Sequence, residues 1–163
     1  MTETRLSSLA ADLGAALYAR NWKLVTAESC TGGWISVAVT DVAGSSDWFD
    51  RGFVTYSDAA KAQMLGVSTA LLETHGAVSE PVVRAMAEGA LQRSDARVAV
   101  AVSGVAGPGG GSADKPVGLV WIAWSVDART WARSFRLPGD RHDVRLQSVK
   151  HALWGLLERV ADA

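Results

Sequence analysis

Several scarcities narrow what this 163-residue chain can be. A single cysteine, Cys30, leaves no partner for an intramolecular disulfide. Sixteen basic and 17 acidic residues give a formal net charge of −1, so no clustered positive surface is available to attract a polyanion, and nucleic acid is not an expected partner. No apolar run approaches the ~18 uncharged residues that cross a bilayer, so no membrane association is expected. The stretch from Met1 to Arg20 carries Glu3 and Asp12 inside a helical pattern rather than a secretory core, which makes a cytoplasmic location the expectation. Histidine is limited to His75, His142 and His151, and no grouping of His, Cys and carboxylates has metal-ligand spacing. Lysine is scarce too: of the 16 basic residues only Lys23, Lys61, Lys115 and Lys150 are lysines, so each invites its own explanation.

What is present is the composition of a folded globular chain, 48% hydrophobic and 20% charged, long enough for one domain spanning residues 1–163. Leu6, Leu9, Leu13, Ala16 and Leu17 share one face of a helix from Glu3 to Arg20. Leu24 to Ala27 reads as a strand, Glu28 to Gly33 as a tight turn, and Trp34 to Val42 as a helix. Gly52 to Tyr56 reads as a second strand, with Ser57 capping a helix from Asp58 to Leu65. Ser68 and Ser79 read as further caps, the second before Pro81 in a helix reaching Gln92. Arg97 to Val102 is an apolar strand buried on both faces. A glycine-rich loop, Ser103 to Lys115, leads to a hairpin of Val117–Ser125 and Thr130–Arg136, and a last helix runs from Asp140 to Ala161. Strands alternating with helices, then a hairpin, predict a three-layer α/β/α sandwich with a mixed, mostly parallel sheet of about five strands.

In such sheets, ligands bind beyond the carboxyl ends of strands. The turn after the first strand offers a hydroxyl, Ser29, beside the free N–H groups of a helix start; the second strand end offers the Tyr56 phenol and the Lys61 amine; the third offers a glycine cradle. A serine needs a base to become a nucleophile, and helix-start amides can hold the oxyanion that its attack creates. No histidine is placed with an acidic orienter, which leaves Lys61, made less basic by burial, as the base, with Tyr56 to relay a proton or orient the amine. From spacing alone, a capping serine, a solvated helix lysine and a strand-end aromatic are the commoner readings of these three residues. Cys30 is a rival nucleophile or a buried inert thiol. The stretch Ser112 to Lys115 has S-x-x-K spacing but lies in a loop, Gly107 to Ser112 lacks the residues of a P-loop, and no G-x-G-x-x-G occurs. Nothing here calls for a cofactor.

Four separated motifs, in order, resemble the CinA carboxy-terminal domain family: Thr26-Ala27-Glu28-Ser29-Cys30-Thr31-Gly32-Gly33, Gly52-Phe53-Val54-Thr55-Tyr56-Ser57 with Lys61, His75-Gly76-Ala77-Val78-Ser79-Glu80, and Ser103-Gly104-Val105-Ala106-Gly107-Pro108-Gly109-Gly110. The chain is similar to the stand-alone form of that family, which includes amidases that convert nicotinamide mononucleotide to nicotinate mononucleotide and ammonia. The resemblance implies the same layered fold, a homodimer, no metal or other cofactor, and a small-molecule nucleotide substrate. It implies catalytic roles for Ser29, Lys61 and Tyr56, and substrate contacts from Cys30, Thr31, Gly32, Gly33, Ser103, Gly104, Gly107 and Gly109. Arg141, in Gly139-Asp140-Arg141, would meet the phosphate, whose oxygens suit a guanidinium fork. Two other functions are open to such a domain: a nucleotide sensor without turnover, and a partner protein in competence or DNA-damage response.

Overall fold

The computed structural model describes residues 3–163. Six α-helices and five strands follow one another: α1 (Glu3–Arg20), β1 (Leu24–Glu28), α2 (Trp34–Thr40), a short 3-10 turn (Ser45–Asp47), β2 (Phe49–Val54), α3 (Asp58–Leu65), α4 (Thr69–His75), α5 (Glu80–Gln92), β3 (Val98–Gly104), β4 (Leu119–Val126), β5 (Arg129–Arg136) and α6 (Arg141–Ala161). The strands form one sheet in the order β2-β1-β3-β4-β5. β1 pairs in parallel with both β2 and β3, while β4 runs antiparallel to β3 and to β5. Four strands therefore point one way, but because β4 lies between two of them the neighbour pairs divide evenly between parallel and antiparallel.

Alternation along the strands sorts the core into two layers. Val98, Val100 and Val102 of β3, with Val120, Ile122 and Trp124 of β4, face α1, α2 and α6. The opposite face carries smaller side chains, among them Ala27, Ala99, Ala101 and Ala123, and α5 packs closely on it. Each fully buried Leu, Val or Ile contributes about 1.5–3 kcal/mol. Trp124, the largest of the fully buried side chains, keeps its indole N–H satisfied by donating to the Ala152 carbonyl at 3.0 Å.

Three element boundaries differ from expectation in ways that matter for the site. β2 begins at Phe49 and ends at Val54, so Tyr56 lies beyond the strand; the charged pair Asp50-Arg51 belongs to the strand because β2 is a sheet edge, where charge is tolerated. β3 extends through Ser103 and Gly104, which pair with Trp121 and Val120 and are strand rather than loop. Ser57 and Ser68 cap α3 and α4 with their side chains, but Ser79 turns its hydroxyl to the Gly76 carbonyl and makes no cap bond.

Candidate active site

The carboxyl ends of β1, β2 and β3 meet at a cavity of about 220 Å³. Ser29 enters it directly after β1. Its amide donates to Val102 of the neighbouring strand at 3.0 Å, which ties the turn to the sheet. Gly32 and Gly33 have φ of 60° and 102°, a left-handed conformation that glycine adopts at least cost, and so swing the chain into α2 within a few residues. Gly33 has no side chain with which to cap α2. Glu28 does that work from the strand side. Fully buried, its carboxylate accepts from the amides of Ile35 at 2.8 Å and Ser36 at 3.0 Å, and from the hydroxyls of Thr31 at 2.7 Å and Ser36 at 2.8 Å. Ser36 Oγ also lies 2.8 Å from Thr26 Oγ1, and Gly52 of β2 leaves room for that contact, since a Cβ there would meet both oxygens at 2.5–2.6 Å.

Lys61 lies in the first turns of α3 and is only 1% exposed. Its amine donates to Ser29 Oγ at 2.9 Å and to the carbonyls of Thr55 and Tyr56 at 3.0 Å each. A carbonyl can only accept, so two amine hydrogens are committed to the backbone, and the third position faces the serine. Protonated, the amine donates there; neutral, it presents a lone pair to the serine hydroxyl. Ser29 Oγ also lies 3.3 Å from the Tyr56 carbonyl, which accepts its hydrogen when the lysine is charged. Burial pushes Lys61 below the ordinary lysine value, with the Asp58 carboxylate acting in the opposite sense. The neutral form is thereby brought closer to physiological pH. Burial pushes the Cys30 thiol up to about 11, its own backbone hydrogen bond and the Arg145 charge offsetting this only in part, so at neutral pH it is a thiol and not a thiolate.

Of the residues singled out from the sequence, Ser29, Lys61, Tyr56, Cys30, Ser103, Gly104 and Arg141 line the cavity. It is the backbone carbonyl of Tyr56 that meets the amine; the side chain is 62% exposed, and its hydroxyl accepts from Arg141 Nη2 at 3.3 Å. Arg141 also donates to the Gly107 carbonyl at 2.8 Å and so spans the cavity mouth. The remaining expected contact residues do not form the wall: Thr31 is buried against Glu28, Gly32 and Gly33 shape the turn, Gly107 presents its carbonyl to Arg141, and Gly109 stands in open space. Sequence reasoning assigned no role to Glu28, to Arg145, or to Asp58, Ala77, Val78 and Ala106, which complete the lining. Arg145 donates to the carbonyls of Cys30 at 3.0 Å and Thr31 at 3.2 Å. No histidine borders the cavity, and among the described residues no group of three or more His, Cys, Asp or Glu is gathered in a way that could hold a metal ion. A larger depression, about 690 Å³, lies at the far end of the sheet around Val126, Trp131 and Arg159, and contains neither serine, cysteine nor lysine.

An α/β/α sandwich with a buried lysine hydrogen-bonded to a serine at a strand-to-helix turn defines the class of protein. The chain belongs to the CinA C-terminal domain family, whose model matches residues 6–160. It is 56% identical over 154 residues to a nicotinamide-nucleotide amidohydrolase PncC of Enterobacter agglomerans, covering 94% of each chain. It is 53% identical over 161 residues to the protein of the same name in Escherichia coli K12, covering 98% of this chain and 97% of that one. A solved structure, the competence damage-inducible protein A of Klebsiella pneumoniae, superposes with a TM-score of 0.93 at 42% identity, covering 96% of this chain and 97% of the other. Among the described residues no helix is long and apolar enough to cross a membrane.

Proposed function

We propose that this protein hydrolyses the carboxamide of nicotinamide mononucleotide to nicotinate mononucleotide and ammonia, with Ser29 as nucleophile and Lys61 as base. The observation that carries the reading is the 2.9 Å contact between the Lys61 amine and Ser29 Oγ inside a cavity, together with whole-length relatives named for that reaction.

Neutral Lys61 takes the Ser29 proton as Oγ attacks the carboxamide carbon. The backbone amides that follow Ser29 hold the oxyanion of the tetrahedral intermediate. Its collapse breaks the C–N bond, and the lysine returns the proton to the leaving nitrogen, so ammonia departs and an ester remains on Ser29. A water molecule, deprotonated by the same amine, attacks the ester; Ser29 leaves with a proton, and the carboxylate product is released. The cationic pyridinium ring withdraws electrons from the carboxamide and makes attack easier. Tyr56 and Arg141, joined at the cavity mouth, receive the ribose phosphate end, where a guanidinium suits phosphate oxygens. In this reading Tyr56 holds the amine through its main chain and the substrate through its ring. The reading also carries a cytoplasmic location and a homodimer, the second of which light scattering on the purified protein checks.

The test is an ammonia-release assay on nicotinamide mononucleotide, nicotinamide riboside and free nicotinamide, with wild type and Ser29→Ala. Turnover of the nucleotide that disappears in Ser29→Ala supports the reading. A variant that keeps wild-type turnover removes the serine from the mechanism, and binding without turnover by the wild type leaves a nucleotide sensor.

A further inference from the structure

α6 sends two arginines to the site from successive turns. Its start is fixed by a reciprocal cap: Asp140 accepts from the Asp143 amide and Asp143 accepts from the Asp140 amide, both at 2.9 Å. Arg141 reaches the cavity mouth. Arg145, one turn further on, lies on the carbonyl side of the turn that bears Ser29. Its Nε and Nη2 donate to Cys30 and Thr31 at 3.0 and 3.2 Å, and its guanidinium stands over the Trp34 ring, 5.4 Å from the centroid. Among the described residues no carboxylate forms an ion pair with it. A half-buried cation is thus directed at two backbone carbonyls.

A trans peptide is planar, with C=O and N–H antiparallel. Fixing the Cys30 carbonyl on Arg145 therefore turns the Thr31 amide to the opposite side. The Gly32 amide, donating to the Ser29 carbonyl at 3.0 Å, fixes the Cys30 amide in the same manner. These are the two amides that follow the nucleophile; among the described residues neither donates to another residue, the Cys30 amide meeting only its own thiol. A charged donor on the carbonyl end of a peptide unit also polarises its N–H end, so the amide becomes a stronger donor to an anion. An oxyanion exists in the transition state and not in the bound amide, so this polarisation favours the reaction more than binding.

We infer that Arg145 is a positioning residue for amide hydrolysis, which aims and polarises the amides of Cys30 and Thr31 as the oxyanion site without touching substrate. The inference rests on the reading of Ser29 as the nucleophile. Lysine in its place would gather its donors on a single nitrogen, whereas the rigid arginine fork sets two nitrogens against two carbonyls.

The experiment compares wild type, Arg145→Ala and Arg145→Lys in ammonia release from nicotinamide mononucleotide, with rates expressed per site titrated by a fluorophosphonate that labels Ser29. Removing a whole oxyanion donor costs roughly 10²–10³ in kcat; since here the donors stay and only lose their alignment, Arg145→Ala should lose about 10- to 100-fold in kcat per titrated site, with KM within about twofold. Arg145→Lys should fall between it and wild type, and millimolar methylguanidine should restore part of the Arg145→Ala rate. An arginine that only staples α6 to the turn would lower thermal stability and the number of titratable sites while leaving kcat per site within twofold of wild type. That result, or a loss confined to KM, overturns the inference and leaves the Ser29 reading intact. If Arg145→Ala does not fold, Arg145→Lys decides by the same criterion. A wild type that neither releases ammonia nor is labelled at Ser29 refutes the nucleophile and the inference with it.

Discussion

The turn after β1 and the loop after β3 border one cavity and are built in opposite ways. In the turn, charged side chains hold the backbone from both sides: Glu28 takes the N–H and hydroxyl groups at the start of α2, and Arg145 takes the carbonyls of Cys30 and Thr31. In the loop, side chains grip the backbone at few points: Arg141 on the Gly107 carbonyl, Lys115 across to the His75 carbonyl, and Ser112 accepting from the Lys115 amide. Gly109 has no neighbour within 4 Å of where a Cβ would stand. Catalytic geometry must be held to a fraction of an ångström, whereas a substrate-facing loop must admit and release its ligand. On the function proposed above, the reacting serine belongs to the rigid side and the loop to the adaptable side.

Substitutions that break the rigid side should have the largest effects. Lys61→Met removes the proposed base while preserving an apolar stem, and kcat should fall roughly 10²- to 10⁴-fold, measured as ammonia release. Glu28→Ala strands two buried amides and two hydroxyls; a loss of about 3 kcal/mol is expected, or roughly 6–12 °C in Tm by calorimetry for a chain of this length. Glu28→Gln, which keeps one acceptor oxygen, should lose less.

A subtler test concerns pH. Because the folded-state value of Lys61 is lowered, the unfolded chain binds more protons between that value and the unfolded value of about 10.4. Lys61 therefore makes stability rise with pH across that window, and Lys61→Met should lack that rise, as denaturant titrations at several pH values would reveal. Activity should follow the same group: kcat/KM should climb with pH to a limb below the ordinary lysine value. On the adaptable side, Gly109→Ala should alter stability by less than about 0.5 kcal/mol and leave kcat unchanged, the smallest effect of the series.

The framework of the site was open to sequence reasoning because it follows from local patterns. The α1 periodicity, the Ser57 cap that starts α3, and the unbroken apolar run of β3 are each encoded within about ten residues, and together they bring Ser29 and Lys61 to neighbouring strand ends. What escaped was encoded at a distance or through the main chain. Arg145 is separated from Cys30 by 115 positions and its hydrogen bonds go only to backbone oxygens, which leave no trace in side-chain types. Tyr56 was visible as a phenol near Lys61, yet β2 ends at Val54 and turns that phenol outward, leaving the carbonyl to meet the amine. Glu28 was in plain view within the first motif. An acidic residue on a strand whose every position is buried, three residues before a hydroxyl and just ahead of a helix without a capping side chain, is a signal that could have identified it.

The most direct measurement is mass analysis of protein acid-quenched during turnover of nicotinamide mononucleotide. An ester on Ser29 is expected, heavier than the free chain by the substrate less ammonia, absent from Ser29→Ala and unable to build up in Lys61→Met. Steady ammonia release with no such adduct, or an adduct mapped to Cys30, would contradict it.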